Sequence, residues 1–256
     1  MPLYFPDTNI LIDYGREAAV REQLERAVRT GTNFTIAPPA LIELTRGLIK
    51  SGATHFDSDK LVFTWMQDQN FEILPLPYPF MAKVLGSSVT ARGRVEPHHY
   101  RELISMVSGA ADFADFIKKT TGTVWQDVNR ADQIHSDELD KEIAALGSLA
   151  KKGLGQNYAK RLSQKFGIPG CRPNPLILAR RFSAALEFLE SSIVKIRSGS
   201  NPRKNDPGLY TDFQLLLYLG DDELRFLTNE KFAAEIKRSP QRQHILGLDS
   251  LRVSAS

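Results

Sequence analysis

Over the first 75 residues, short apolar runs alternate with longer segments in which apolar residues recur at helical spacing. The run "NFTIA" is typical of a strand, whereas "PPALIELTRGLIK" has proline in the first turn of a helix and Gly52 just beyond its end. This alternation predicts an α/β fold with a central parallel sheet and helices on both faces. The predicted strands are 3–5, 33–37 and 71–76, and the predicted helices are 9–29, 38–50 and 57–69.

The pattern changes between residues 78 and 204, where helical periodicity dominates. This stretch is too long for an ordinary connection, so it predicts a mostly helical insertion or subdomain. Residues 1–77 and 205–256 are then expected to form one discontinuous core. Within the insertion the predicted helices are 98–119, 137–152, 156–166 and 174–196. Beyond it, the pattern predicts a helix over 209–220, a strand over 224–228, a helix over 229–239 and an edge strand over 244–248.

The overall composition is that of an ordinary soluble globular protein, with 42% hydrophobic and 25% charged residues. No segment reaches the roughly 18 uncharged apolar residues of a membrane span. The N-terminal residues also lack the pattern of a secretion signal. The one cysteine, Cys171, cannot form an internal disulfide and is interpreted as a small core residue. We therefore expect a cytoplasmic protein with no membrane partner.

The net charge of +3 conceals a strongly basic block. Residues 151–204 contain 12 Lys or Arg against two Glu, while the residues on either side are mildly acidic. Such a block suggests a polyanion as partner, although a solvated surface rich in lysine gives the same pattern. The candidate phosphate contacts are Lys151, Lys152, Lys160, Arg161, Lys165, Arg172, Arg180, Arg181, Arg203 and Lys204.

Four carboxylates interrupt apolar segments near strand ends or helix starts: Asp7, Glu43, Asp212 and Glu230. Ligands of an open parallel sheet gather at the carboxyl ends of its strands, where Asp7 and Glu230 are expected. Singly, each acid has a structural explanation as a helix cap, a favourable charge at a helix N-terminus or a boundary residue. Asp13, also close to the first strand, is interpreted as a helix-surface residue.

If the four acids converge, their charges would repel one another unless divalent cations neutralise them. Mg²⁺ and Mn²⁺ prefer such hard oxygen ligands, and no histidine or cysteine lies near these motifs. Asp206 is either a fifth carboxylate of this cluster or a helix cap before Pro207. The pattern therefore predicts a site for one or two Mg²⁺ or Mn²⁺ ions.

The segments "PDTNILID", "PPALIEL", "YTDFQLLLYL" and "RFLTNEKF" resemble, in this order, the four acidic motifs of PIN-domain nucleases. The resemblance covers about residues 2–75 and 205–248 and leaves out the insertion. It implies a three-layer α/β/α sandwich with a central parallel sheet. The chain departs from the family at Glu230, where the fourth acid is usually Asp, and in the length of the segment between the second and third acids.

The resemblance also implies metal-dependent hydrolysis of phosphodiester bonds by a two-metal mechanism, giving a 5′-phosphate and a 3′-hydroxyl. Asp7, Glu43, Asp212 and Glu230 would then be the catalytic acids and metal ligands. Residues next to them would position water or phosphate through hydrogen bonds. These supporting residues are Thr8, Asn9, Thr228 and Asn229.

Several functions are compatible with these residues. We expect a nuclease acting on RNA or on single-stranded nucleic acid, with RNA favoured over DNA, in the role of a toxin or defence ribonuclease. An antitoxin-like protein and a second copy of the chain are compatible partners. The alternatives are a non-catalytic module that binds nucleic acid, a DNA-directed nuclease, and a phosphohydrolase acting on a small substrate.

Overall fold

A computed structural model describes residues 2–86, 97–123, 125, 174–197, 207–229 and 234–251. It contains a five-stranded sheet in which every strand pair is parallel, flanked by helices. The predicted α/β fold class with a central parallel sheet is therefore confirmed. The strands are β1 (Leu3–Pro6), β2 (Asn33–Ile36), β3 (Glu72–Ile73), β4 (Leu224–Leu227) and β5 (Ile245–Leu246).

The helices between these strands begin and end close to the predicted bounds in the first half of the chain. The first five are α1 (Thr8–Arg16), α2 (Ala18–Arg29), α3 (Pro38–Ser51), α4 (Phe56–Asp68) and α5 (Pro77–Val84). They are followed by α6 (Pro97–Ser108), α7 (Phe113–Thr120), α8 (Pro175–Arg181), α9 (Ser183–Arg197) and α10 (Pro207–Leu217). Short 3₁₀ turns are formed by Gly52–His55, Tyr218–Gly220, Pro240–His244 and Leu248–Leu251. The predicted helices over 137–152 and 156–166 lie outside the described residues.

Three segments predicted as single helices are each divided in two. The breaks fall at Glu17, at residues 109–112 and at Phe182. At the second break, the Asp112 carboxylate accepts the Asp115 N–H at 2.8 Å and so caps the start of α7. Apolar residues continue on both sides of each break, which is why the periodicity alone predicted one helix.

The helix predicted over 229–239 is wrong in its described part, because residues 234–239 contain no α-helix. Glu187 on α9 gives the physical reason. Its carboxylate is 9% exposed and accepts the backbone N–H groups of Lys237, Arg238 and Ser239 at 2.8–3.0 Å. An α-helix would have bonded these N–H groups to its own carbonyls. A long-range carboxylate therefore holds this segment in a non-helical conformation.

The helices pack around one buried apolar cluster that includes residues from all five strands or their neighbours. Helix α4 packs against α1 and α6, while α10 packs against α3 and α9. The described helices of the predicted insertion therefore contribute to the same core as the sheet. Within the described residues, no helix is long and apolar enough to cross a membrane.

Gly220 provides a test of core packing. A Cβ atom added at Gly220 would overlap the fully buried ring of Phe182, whereas one added at Gly47, on the exposed side of α3, would meet nothing within 4 Å. We expect Gly220→Ala to lower the free energy of unfolding by about 1–3 kcal/mol, because the core must shift. Gly47→Ala should be neutral or stabilising, since alanine favours a helix interior. Urea unfolding of both variants measures the difference, and equal stabilities would contradict it.

The Glu187 anchor predicts a pH-dependent contribution to stability. Burial raises the pKa of the Glu187 carboxyl, but the N–H donors of Arg238, Lys237 and Ser239 outweigh burial and hold its pKa below the ordinary value. A carboxyl whose pKa is lower in the folded state stabilises the fold above its unfolded pKa, and that contribution disappears as pH falls through the folded pKa.

We expect Glu187→Gln to lower the free energy of unfolding by about 2 kcal/mol at pH 7, since its amide N–H₂ faces N–H donors. This deficit should shrink as pH falls from 5 towards 3. Thermal unfolding across that range measures it, with Glu190→Gln, which removes a more exposed carboxylate bonded to the same arginine, as the matched control. A deficit that stays constant with pH would be inconsistent with a charged anchor.

Candidate active site

The strand order predicts a crevice outside the carboxyl ends of β1 and β4. The order β3-β2-β1-β4-β5 runs outward from β1 in both directions, so the topology switches between β1 and β4. Ligands of open parallel sheets bind at such a switch, outside the carboxyl ends of the strands. Pro6 pairs with Leu227, and the Asp7 N–H donates to the Leu227 carbonyl at 2.9 Å. The next residues, Asp7 and Thr228, therefore meet at this edge of the sheet.

Asp7 caps the start of α1 and also lies at this edge of the sheet. It is 3% exposed, and its Oδ1 accepts the Ile10 N–H at 2.8 Å as the N-cap of α1. Its Oδ2 accepts the Thr228 hydroxyl. Each carboxylate oxygen has more than one lone pair, so these hydrogen bonds leave acceptor capacity for a cation. The structural explanation for Asp7, as a cap, is thus correct and is compatible with the functional one.

Glu43 reaches the same edge from α3. Its Oε2 accepts the Thr8 hydroxyl at 2.6 Å, and Thr8 is the residue directly after Asp7. Thr8 and Thr228 are both buried. The two hydroxyls that were predicted to contact water or phosphate therefore donate to the two acids instead. This arrangement fixes the rotamers of both carboxylates.

Asp212 lies on α10, which packs against α3, the helix that contains Glu43. It was expected at or near a helix N-terminus, but α10 begins at Pro207, so Asp212 is the sixth helical residue. Glu43 is likewise the sixth residue of α3, which begins at Pro38. The helix with Glu43 begins at Pro38 as predicted, whereas α10 begins two residues before its predicted start at residue 209. Both acids therefore lie more than one turn inside their helices, where the helix dipole has less influence.

Asn9 and Asn229 are exposed and follow closely after Asp7 and Thr228 in the chain. The Asn229 amide Nδ2 lies 3.5 Å from Asp13 Oδ2, a long contact between the end of β4 and α1. Asp13 was interpreted as a helix-surface residue, and its approach to Asn229 was missed. Its spacing of four residues from Asn9, which puts both on one face of α1, was the available signal.

The described residues do not gather the whole predicted acidic cluster. Glu43 contacts Thr8, the residue next to Asp7, but in the described ranges no group of three or more Asp, Glu, His or Cys is close enough to hold a metal ion. Glu230 and Asp206 lie outside the described residues. The donors that are brought together are carboxylate and hydroxyl oxygens, which are the ligand types that Mg²⁺ and Mn²⁺ prefer.

Of the candidate phosphate contacts, Arg180 and Arg181 are described, and both are exposed at the end of α8. Arg181 Nη1 forms an ion pair with Asp222 Oδ2 at 3.0 Å. The other candidates lie outside the described residues: Lys151, Lys152, Lys160, Arg161, Lys165, Arg172, Arg203 and Lys204.

Comparison of the chain with protein-family models, with curated proteins and with solved structures finds no match. The resemblance of the acidic motifs to those of PIN-domain nucleases therefore stays a prediction.

The contact between Thr228 and Asp7 predicts a measurable stability effect. Thr228→Val keeps the side-chain shape but removes the only donor atom of that side chain, leaving a buried carboxylate oxygen with one bond fewer. We expect the free energy of unfolding to fall by about 1.5–3 kcal/mol. Thr45→Val is the matched control, because Thr45 is equally buried but its hydroxyl donates only to the Leu41 carbonyl of its own helix. Equal losses in chemical unfolding would show that the Asp7 contact has no special weight.

Proposed function

We propose that this chain is a metal-dependent nuclease that hydrolyses phosphodiester bonds, with RNA favoured over DNA as substrate. The observation that supports the proposal best is the hydrogen bond from the Thr8 hydroxyl to Glu43, which brings Glu43 to the residue next to Asp7 at the switch point of the sheet. Asp7 is the N-cap of α1 and Glu43 lies on α3, and both were expected in the site from their motifs. The resemblance to PIN-domain nucleases supplies the reaction type.

In this proposal Asp7, Glu43, Asp212 and Glu230 would hold one or two Mg²⁺ or Mn²⁺ ions. A bound divalent ion supplies an activated water and stabilises charge on the oxygens of an in-line displacement. The contribution of the protein is a fixed arrangement of ligands: Thr228 orients Asp7, and Thr8 orients Glu43. No side chain then has to reorganise during the reaction.

The substrate strand needs positive charge away from the acids, since carboxylates alone repel phosphate. The exposed amides of Asn9 and Asn229 are suitable donors for phosphate oxygens. The guanidinium groups of Arg180 and Arg181 add exposed positive charge at the end of α8. Affinity for nucleic acid should accordingly fall as salt is raised.

A second candidate is a module that binds nucleic acid without cutting it. It is favoured by the hydrogen bonds to both Asp7 oxygens, because they stabilise the buried carboxylate without a cation. This candidate keeps the fold and the basic residues but needs no metal. Cleavage assays separate it from the nuclease.

We expect wild type to cleave single-stranded RNA in the presence of Mn²⁺ or Mg²⁺ and to lose activity in EDTA. Asp7→Asn should lower the cleavage rate by about 100-fold or more, because a charged metal ligand is lost. Asparagine is also a good N-cap, so the start of α1 should survive. Glu43→Gln and Asp212→Asn should have comparable effects, measured on labelled RNA, single-stranded DNA and duplex.

Asp57→Asn is the matched control, since it removes an exposed carboxylate in the first turn of α4. It should cleave like wild type. Cleavage that survives Asp7→Asn and Asp212→Asn would refute the proposed site. Binding of RNA by wild type without cleavage under any metal condition would favour the binding module.

A further inference from the structure

A cavity lies beside the amino ends of β4 and β5. The candidate active site is at the opposite, carboxyl ends of the strands. The cavity has a volume of about 440 Å³ and is enclosed by the end of α8, the turn before β4 and the Pro240–His244 turn. This volume is in the range of small-molecule sites. Its chemically informative lining residues are Ile177, Arg180, Arg181, Asp222, Gln243 and His244.

Two adjacent guanidinium groups give this cavity its charge. Arg181 forms an ion pair with Asp222, which fixes one guanidinium at the wall. Arg180 is exposed and forms no ion pair with any described residue. One acid against two arginines leaves a net positive cavity. Guanidinium groups bind phosphate through paired N–H donors, so an anionic ligand of this type is favoured.

His244 is the second independent feature that points to a ligand. It is 8% exposed, and its Nδ1 has no hydrogen-bond partner among the described residues. Its Nε2 lies 3.5 Å from the Gln243 side-chain nitrogen. Burial lowers the pKa of His244, with Arg225 acting in the same direction and Asp222 against it. Since Nε2 already contacts Gln243, Nδ1 is the ring nitrogen without a partner among the described residues.

The wall of the cavity is held in place by Gln241. Its Nε2 donates to the carbonyls of Arg181 and Leu219, and its Oε1 accepts the Ala184 N–H at 2.9 Å. Gln241 thus connects the end of α8, the start of α9 and the turn before β4. The cavity is therefore preformed, which reduces the entropy cost of binding.

The cavity also has an exposed apolar surface beside its charged groups. Ile177 is 53% exposed, and it lies one turn before Arg180 and Arg181 on the same face of α8; Pro240 is a further apolar lining residue. A ligand with a phosphate at one end and a flat, weakly polar ring at the other matches this division. Apolar side chains stack against either face of a nucleobase without reading its identity.

We propose that this cavity binds a nucleoside phosphate, with the phosphate on Arg180 and Arg181 and the base against Ile177. The choice of ligand class rests on the proposed nuclease function, whereas the existence of an anion site rests on the cavity alone. The same chemistry can come from a free mononucleotide or from the 5′-phosphorylated end of a strand. A strand held here would be bound at a distance from the acids that are proposed to cut it.

Calorimetric titration in EDTA tests the site without turnover. AMP should bind wild type and the Asp7→Asn variant equally, and adenosine, which lacks the phosphate, should bind about tenfold more weakly or not at all. Arg180→Gln should weaken AMP binding about tenfold, the loss of one charge-assisted contact. Arg242→Gln is the matched control, because Arg242 is exposed in the same turn as His244 but does not line the cavity. It should change affinity less than twofold.

The source of the ligand is decided with 5′-phosphorylated and 5′-hydroxyl tetranucleotides. Preference for the phosphorylated strand over AMP would assign the site to a strand end, and preference for AMP would assign it to a free nucleotide. Equal effects of Arg180→Gln and Arg242→Gln, or equal binding of AMP and adenosine, would overturn the proposal. Because no cleavage occurs in EDTA, this result is independent of whether the candidate active site proves catalytic.

Discussion

The pairing of β1 with β4 is the contact on which the rest of the structure depends. It brings together two strands that are distant in sequence and makes β1 the centre of the sheet. The hydrogen bond from the Asp7 N–H to the Leu227 carbonyl extends the ladder by one residue, which sets Asp7 against Thr228. A slip of one residue in this register would turn the Asp7 side chain towards the other face of the sheet. The Asp7–Thr228 contact is a consequence of this register, whereas the cap of α1 is a local bond from the Ile10 N–H to Asp7.

The sequence pattern was sufficient to predict the parallel sheet, because strand-like and helix-like periodicities alternate clearly over the first 75 residues. It also placed Asp7 and Glu43 correctly near the ends of their elements. It could not predict that Thr8 and Thr228 donate to those acids, since a hydroxyl can choose among many partners and the choice depends on tertiary geometry. The helix predicted over 229–239 failed for a related reason: local propensity was overridden by Glu187, a residue far away in sequence.

Asp7 combines roles that often belong to separate residues. It completes the first turn of α1 and receives the Thr228 hydroxyl while lying almost fully buried at the crevice. A buried carboxylate is costly unless it is hydrogen-bonded, and here the Ile10 N–H and the Thr228 hydroxyl supply those bonds. A substitution at Asp7 would therefore disturb the start of α1 and the contact with Thr228 together.

The long sequence separation between β1 and β4 also determines when they can pair during synthesis. Asp7 and Thr228 are 221 positions apart. At roughly 5–20 residues per second, the ribosome makes the second of them about 10 to 45 s after the first. During that interval β1 has no β4 to pair with, and one edge of the central strand stays open to other contacts. The Asp7–Thr228 contact is therefore assembled only after most of the chain has been translated.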